Sequence, residues 1–455
     1  MRLKLFLLCV LLARVTFGDG SASEPGKTGW AIVPEIIARI HEPRFQDRDF
    51  SITDYGAVGD GETDCKSAFD KAIEACSSAG GGRVLVSAGI WLTRGPIHLK
   101  STVNLHLEKD ATVQFGTNPA DYLPIVRSRF EGNEVMNFSP LIYAIDQHDV
   151  AITGAGTFDG QAGKNAWWNW KSTGAADSSA LRRMGEDGVD TPQRKFGNEH
   201  HLRPNFVQLC HCQDVLIDGV TLINSPMWIV HPLLCQNVTV RGVTINSHGP
   251  NNDGCDPESC RDVLIEKCIF DTGDDCIAIK SGRGADGRRS GIPSENIVIR
   301  GCQMKDGHGG VVLGSEMSGG IRNVFVEDCT MGSPNLVRAI RLKSNSSRGG
   351  YLENLYVRNV SVAQVKEAVV RINLQYEKDR GDHNPTVRNI ELSNITADKC
   401  KRPFYFVGLP NAKITNVLVE NCTFQNACQP SVFEYTDDVL LRNFRLLPRE
   451  GLDND

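Results

Sequence analysis

The chain has 455 residues, with 49 lysines and arginines against 55 aspartates and glutamates, a formal charge of −6. That acidic balance argues against a nucleic-acid binder, whose electrostatic footprint is basic, although a local cluster of cations can still hold an anionic polymer. The length suits two ordinary domains or one large single-domain β architecture.

Residues 1–18, MRLKLFLLCVLLARVTFG, set Arg2 and Lys4 before a short apolar run, with Thr16 and Gly18 as small residues ahead of a cut. The run is too short to span a bilayer and reads as a secretory signal peptide. A secreted protein, extracellular or periplasmic, is therefore expected, and no later segment approaches a membrane span. Without Arg2, Lys4 and Arg14 the balance is 46 basic against 55 acidic side chains, a net −9.

Residues 19–47 form an extension in which VPEIIARI, with Pro34 in the first turn, predicts a short outer helix. The main domain runs from 48 to 455. At its start, TDCKSAFDKAIEACSSAGGG places Phe69, Ala72, Ile73 and Cys76 at helical spacing, with Thr63 or Asp64 as N-cap and Gly80 as stop. Such a helix would plug one end of a core built from stacked strands. Residues 160–205 form a long polar insertion, of the kind that makes binding loops or lids. Its Trp167, Trp168 and Trp170 either wall off one end of a groove or simply pack.

From about residue 149 onward one phrase recurs: QDVLIDGVTL, QNVTVRGVTI, RDVLIEKCIF, ENIVIRGCQM, RNVFVEDCTM, ENLYVRNVSV, RNIELSNITA, TNVLVENCTF. Its Asp or Asn falls at 214, 237, 262, 296, 323, 354, 389 and 416. Apolar alternation with a Gly, Asn or Asp bend in each unit, at this period, predicts an all-β fold, a right-handed parallel β-helix with a short N-terminal capping helix. Cysteine trades with Val, Ile and Leu at two aligned positions of the repeat, so those cysteines read as buried apolar residues. Cys210, Cys400 and Cys428 lie off these rows and are the better disulfide candidates.

Four stretches break the pattern: NNDGCD at 251–256, GDDCIAIKSG at 273–282, GHGG at 307–310 and RLK at 341–343. They fall in a similar part of four consecutive coils, and neighbouring coils sit about 4.8 Å apart. Asp253, Asp274, Asp275, His308, Arg341 and Lys343 are thereby expected to form one patch fit for general acid and base chemistry on an anionic substrate. Gly273 is expected to bend the chain so that both adjacent aspartates face the cleft.

Each group alone has a plainer reading. Asp and Asn are common turn residues, His308 between glycines is an ordinary turn, and Arg341 with Lys343 resembles a solvated face. Asp253, Asp256, Glu258, Asp274 and Asp275 also have the oxygens of a calcium cage. Calcium leaves His308 and the two cations without a role, and the coincidence across coils favours catalysis.

In these motifs the chain resembles the polygalacturonase family, the family 28 glycoside hydrolases. That family's Asn-Thr-Asp, Gly-Asp-Asp, Gly-His-Gly and Arg-Ile-Lys appear as Asn251-Asn252-Asp253, Gly273-Asp274-Asp275, Gly307-His308-Gly309 and Arg341-Leu342-Lys343. The resemblance implies hydrolysis of α-1,4 bonds between galacturonic acid units of pectin, with inversion and without metal or other cofactor. Asp274 would be the general acid, Asp253 and Asp275 would activate water, and His308 would tune or share the proton. Arg341 and Lys343, with Asn251, would bind substrate. An inverting pair is expected to hold its carboxyl groups about 6.5–9.5 Å apart, and crowding is expected to keep a proton on the acid.

Polygalacturonate or pectin oligosaccharide is thus the expected partner, with no nucleic acid or membrane, and the chain is expected to be a monomer. The rivals are a rhamnogalacturonan or other pectin hydrolase of the same fold, a calcium-dependent pectate lyase, and a non-catalytic carbohydrate-binding solenoid. A wall built by the 160–205 insertion would give exo action.

Overall fold

The recurring Asp or Asn of each repeat adopts a left-handed backbone conformation, with φ between 53° and 61° at all eight positions from Asp214 to Asn416. Short side chains that bond nearby backbone tolerate this region. Their amides then stack from coil to coil: Asn323 Nδ2 donates to Asn296 Oδ1 at 3.0 Å, Asn354 to Asn323 at 2.9 Å and Asn389 to Asn354 at 2.9 Å. The phrase repeats because every coil needs this bend. The computed structural model describes residues 29–377 and 379–447, so the expected signal peptide lies outside the described residues.

Beside the bend, each strand pairs in parallel with its counterpart in the next coil. One interior row runs Val215, Val238, Val263, Ile297, Val324, Leu355, Ile390, Val417, all buried. Parallel connections of this kind wind right-handed. The fold is the parallel β-helix that the repeat predicts.

The cysteine rows are interior, as expected: Cys212, Cys235 and Cys260 stack in one, Cys268, Cys302 and Cys329 in another. The thiols donate to carbonyls of the preceding coil, Cys235 to Leu209 O and Cys260 to Pro232 O, each at 3.1 Å. A cysteine therefore fills a valine's place and adds a weak bond. All fourteen cysteines among the described residues are free, which corrects the disulfide expectation for Cys210, Cys400 and Cys428. Cys400 is registered against Ala427, so the Cys428 side chain turns the other way and its sulfur lies 3.9 Å from the Cys400 carbonyl oxygen.

Helix α1 (Val33–Arg39) lies outside the solenoid, with Val33 and Ile36 packed on Leu264, Val298 and Phe325, outward residues of three coils. Helix α2 (Lys66–Ser78) buries Phe69, Ala72, Ile73 and Cys76 against the first strands. Its start differs slightly from expectation. Asp64 accepts from the Lys66 N–H at 3.0 Å, one residue ahead of the N-cap Cys65, while the Thr63 hydroxyl turns to Asp60.

Within 160–205 the chain forms α3 (Trp170–Thr173) and α4 (Ala175–Asp187). The tryptophans anchor these helices: Trp167 is buried edge-on against Tyr122 and Trp170, and Trp168 Nε1 donates to Ser225 O at 2.9 Å. Their reading as packing holds for Trp167 and Trp168. An antiparallel hairpin, Val126–Phe130 with Asn133–Asn137, stands beside α4 and was not signalled by the repeat.

Three short strands carry the site: β1 (Ile277–Ile279), β2 (Val311–Gly314) and β3 (Ile340–Lys343). They pair in sequence with Ile277 opposite Val311 and Val311 opposite Ile340, and Cys255 bridges Ile277 from the coil before.

Candidate active site

Just before β1 and β2 the register aligns the functional residues. Two positions ahead of Cys255 and Ile277 stand Asp253 and Asp275, and one coil later Asp274 is level with His308. Backbone bonds fix this: Gly254 N–H donates to Asp275 O at 2.9 Å, and His308 N–H to Asp274 O at 3.0 Å.

The glycines act through close approach. A Cβ on Gly273 would stand 2.6 Å from Gly249 O and 2.7 Å from His248 C, and one on Gly307 would stand 2.5 Å from Asp274 O. Gly273 is thus required because the preceding coil leaves no room for a side chain. Asn252, where the family motif has Thr, is fully buried and ties the turn. It accepts from Ser247 Oγ at 2.6 Å and Gly249 N–H at 2.7 Å and donates to Ser225 O and Met227 O. Those bonds hold Asp253 in place.

A cleft of about 540 Å³ opens over these residues and is lined by Asn251, Asp253, Asp274, His308, Arg341 and Lys343. Asn251 Oδ1 accepts from the buried Arg203 at 2.7 Å. Asp274 is part-exposed; its Oδ1 accepts from the Asp275 N–H at 3.0 Å and lies 2.8 Å from His308 Nδ1. Its bond to Asp274 raises the His308 imidazole pKa above the ordinary value, against the opposing effect of burial.

Asp275 departs from expectation. It is fully buried behind the cleft wall, so the two adjacent aspartates do not both face the substrate space. Lys343 Nζ donates to its Oδ2 at 2.6 Å and Arg341 Nη1 to its Oδ1 at 3.3 Å. Burial alone would raise Asp275; the charges of Lys343 and Arg341 outweigh that and lower it to about 2. The two cations expected to meet substrate therefore spend at least one donor each on the protein's own carboxylate.

Asp253 behaves in the opposite way. Burial, with the nearby charges of Asp274 and Asp275, raises it to about 7 in spite of Lys280. Oxygens of Asp253, Asp274 and Asp275 lie within 4.8 Å of one another, closer than the spacing expected of an inverting pair, because adjacent coils set the distance.

The sequence reading missed Lys280. Its Nζ is buried 3.3 Å from Asp253 Oδ2, 3.3 Å from Asp256 Oδ1 and 3.4 Å from Glu316 Oε2, and stands 4.3 Å over the Trp228 ring. A lysine closing the apolar run CIAIK was the available signal, since a charge there is buried with partners or not at all. Asp256 and Glu258, offered above as calcium ligands, go elsewhere: Asp256 to Lys280, and Glu258 to Arg129 at 3.2 Å and His231 at 2.9 Å. Each of the three clustered aspartates is met by a cation or imidazole of the protein, so this donor set suits its own cations better than the six to eight oxygens of calcium. The insertion contributes Lys171 and Arg182, which reach Glu131 of the hairpin turn at 3.6 and 2.6 Å and line the cleft with it.

Residues 190–426 match the sequence profile of Glycosyl hydrolases family 28. The chain belongs to that family. It is 32% identical over 404 residues to a probable polygalacturonase of Vitis vinifera, a match spanning 85% of this chain and 76% of that one. It is 28% identical to an exo-poly-alpha-D-galacturonosidase of Dickeya chrysanthemi, spanning 84% of this chain and 67% of that one. Among solved structures, a hyperthermoactive exopolygalacturonase from Thermotoga maritima superposes with a TM-score of 0.90 at 44% identity, covering 92% of this chain and 96% of that one. Residues 50–110 also match a profile named Rhamnogalacturonase A/epimerase, pectate lyase-like. This family 28 chain is a glycoside hydrolase, which sets aside the non-catalytic solenoid.

Proposed function

We propose that this hydrolase removes galacturonic acid from chain ends of polygalacturonate, cutting α-1,4 bonds by general acid and base catalysis. The observation that carries the assignment of roles is the contrast among the three aspartates. Asp274 borders the cleft and shares a hydrogen bond with His308, so the pair holds one proton beside the leaving oxygen. Asp253 carries a pKa near neutrality, which makes it a strong base for a water molecule once ionised. Asp275, ionised and pinned by two cations behind the cleft wall, supplies a fixed negative charge that helps raise the Asp253 pKa.

The short carboxylate spacing by itself favours a retaining enzyme. A retaining enzyme needs a free, ionised nucleophile, however. Asp275 is buried under Lys343 and Arg341, and Asp253 is buried with one oxygen 3.3 Å from Lys280, so neither stands free to attack the anomeric carbon. Neither suits that role, and inversion by direct attack of water is the reading we adopt. It is read out by the anomeric configuration of the first product in proton NMR.

Exo action rests on the exo-acting relatives and on the bridge from Lys171 and Arg182 to Glu131 in the cleft lining, which we read as the wall that stops the polymer. Spare donors of Arg341 and Lys343 suit a uronate carboxylate. An N-terminal stretch with the pattern of a signal peptide supports export to where pectin is found. Time-resolved chromatography on polygalacturonate and on rhamnogalacturonan tests the whole reading. Monosaccharide or disaccharide as first product from polygalacturonate supports it; a ladder of mixed oligomers removes exo action, and preference for rhamnogalacturonan removes the substrate.

A further inference from the structure

Burying a cationic side chain costs free energy unless a carboxylate meets it. Eight lysines and arginines are buried among the described residues, and seven of them have a carboxylate oxygen within 3.6 Å. The eighth, Arg203, is 2% exposed and has none. It donates to the carbonyls of Pro226 and Pro250 and to Asn251 Oδ1, which uses three of the five N–H groups of a guanidinium. Burial pushes its pKa down to about 10 against the more distant charges of Glu131, Asp253 and Asp274. Arg203 lines a second cavity, of about 210 Å³. This cavity shares with the cleft only Glu131, Lys171 and Arg182, the bridge read above as the wall, and so lies on the other side of it. Arg182 Nε is likewise buried without a partner.

We propose that this cavity is a second binding site of the enzyme, which takes one free uronic acid monosaccharide. That the sugar is the enzyme's own product rests on the exo reading above. Lys171, Arg182 and Arg203 stand in the lining against the single carboxylate of Glu131, so the cavity favours an anion. Glu131 is already met by Lys171 and Arg182. Arg203 keeps Nε and one Nη2 hydrogen for a carboxylate, the geometry in which a guanidinium binds it best. Ser178 and Ser179 of α4 offer hydroxyls to a sugar ring, and the Trp170 indole forms an apolar part of the wall. The volume suits one sugar ring and no oligomer. Arg203 also grips Asn251, two residues before Asp253. A uronate drawn to Arg203 therefore acts on the cleft without entering it, and product slows the reaction without competing for the substrate's place.

Equilibrium dialysis of the full chain against labelled galacturonate counts the sites, and Ser178→Phe fills the cavity from α4, with Ser178→Leu in its place should the larger side chain prevent folding. Two molecules per wild-type chain are expected, in cleft and cavity, and one in the variant. Galactose, which lacks the carboxylate, should bind the second site at least about tenfold more weakly. In trigalacturonate hydrolysis, added galacturonate should lower kcat and raise KM for the wild-type chain but only raise KM for the variant. One site in the wild-type chain, or two in both, overturns the inference. So does a variant whose KM for trigalacturonate rises without galacturonate present, because the cavity then belongs to the substrate's path. Two sites on a chain that does not hydrolyse polygalacturonate overturn the proposed function and leave the second site standing.

Discussion

Asp274 Oδ1 and His308 Nδ1, on neighbouring coils, lie 2.8 Å apart at the cleft wall. The bond raises the imidazole, so the proton the pair shares is retained to higher pH than a lone histidine would keep it. Activity that needs this proton is present below the raised value and is lost as pH rises through it. His308→Ala is expected to lower kcat about 10²-fold and to move the alkaline limb of the pH profile downward. An alkaline limb that stays in place would remove His308 from the proton's path.

The acidic limb belongs to Asp253. Its base form appears as pH rises through about 7, well above the ordinary carboxylate range, and Lys280, ahead of Lys343, is the main group that holds the value down. Lys280→Met is therefore expected to shift the acidic limb of kcat/KM upward, with larger losses below pH 7 than above it, and Lys280→Arg to restore most of the profile. A limb that moves downward contradicts the assignment.

Lys343 and Asp275 form a buried ion pair at 2.6 Å. Lys343→Met leaves Asp275 with only the longer contact to Arg341, and a loss of about 3–5 kcal/mol is the usual result of breaking such a pair. Urea denaturation reads it, and adding Asp275→Asn should recover part of the loss. The pH dependence follows from the depressed Asp275 value: its stabilising contribution is complete above the unfolded carboxylate pKa of about 3.9 and disappears as pH falls towards about 2.

The proposed exo action assigns the wall to the charge pairs between the insertion and Glu131. Replacing Lys171 and Arg182 together by alanine removes both links to Glu131. The double variant is expected to release mixed oligomers early in digestion, while the wild-type chain releases short products first. Identical product patterns would place the wall elsewhere.

The repeat was legible because one backbone requirement, a left-handed bend per coil, selects Asp or Asn at a fixed place and leaves a countable mark. The four stretches of the candidate site were legible as departures from that mark. What the sequence hid is which way a side chain goes when two registers compete. Asp274 and Asp275 are adjacent, yet one lines the cleft and the other is buried under Lys343, and only the coil-to-coil alignment decides this. The spacing of the carboxylates was hidden for the same reason. Lys280 and the Glu131 bridge were missed because two of their partners, Glu316 and Arg182, lie in segments with no repeat to count from.

The division of labour between Asp274 and Asp253 is tested most directly with an aryl galacturonide whose leaving group needs no proton. Asp274→Asn should lose about 10²–10⁴-fold on polygalacturonate yet keep most of its activity on the aryl substrate, while Asp253→Asn should lose activity on both. Full rescue of Asp253→Asn by the aryl substrate, with none for Asp274→Asn, would contradict the account and exchange the two roles.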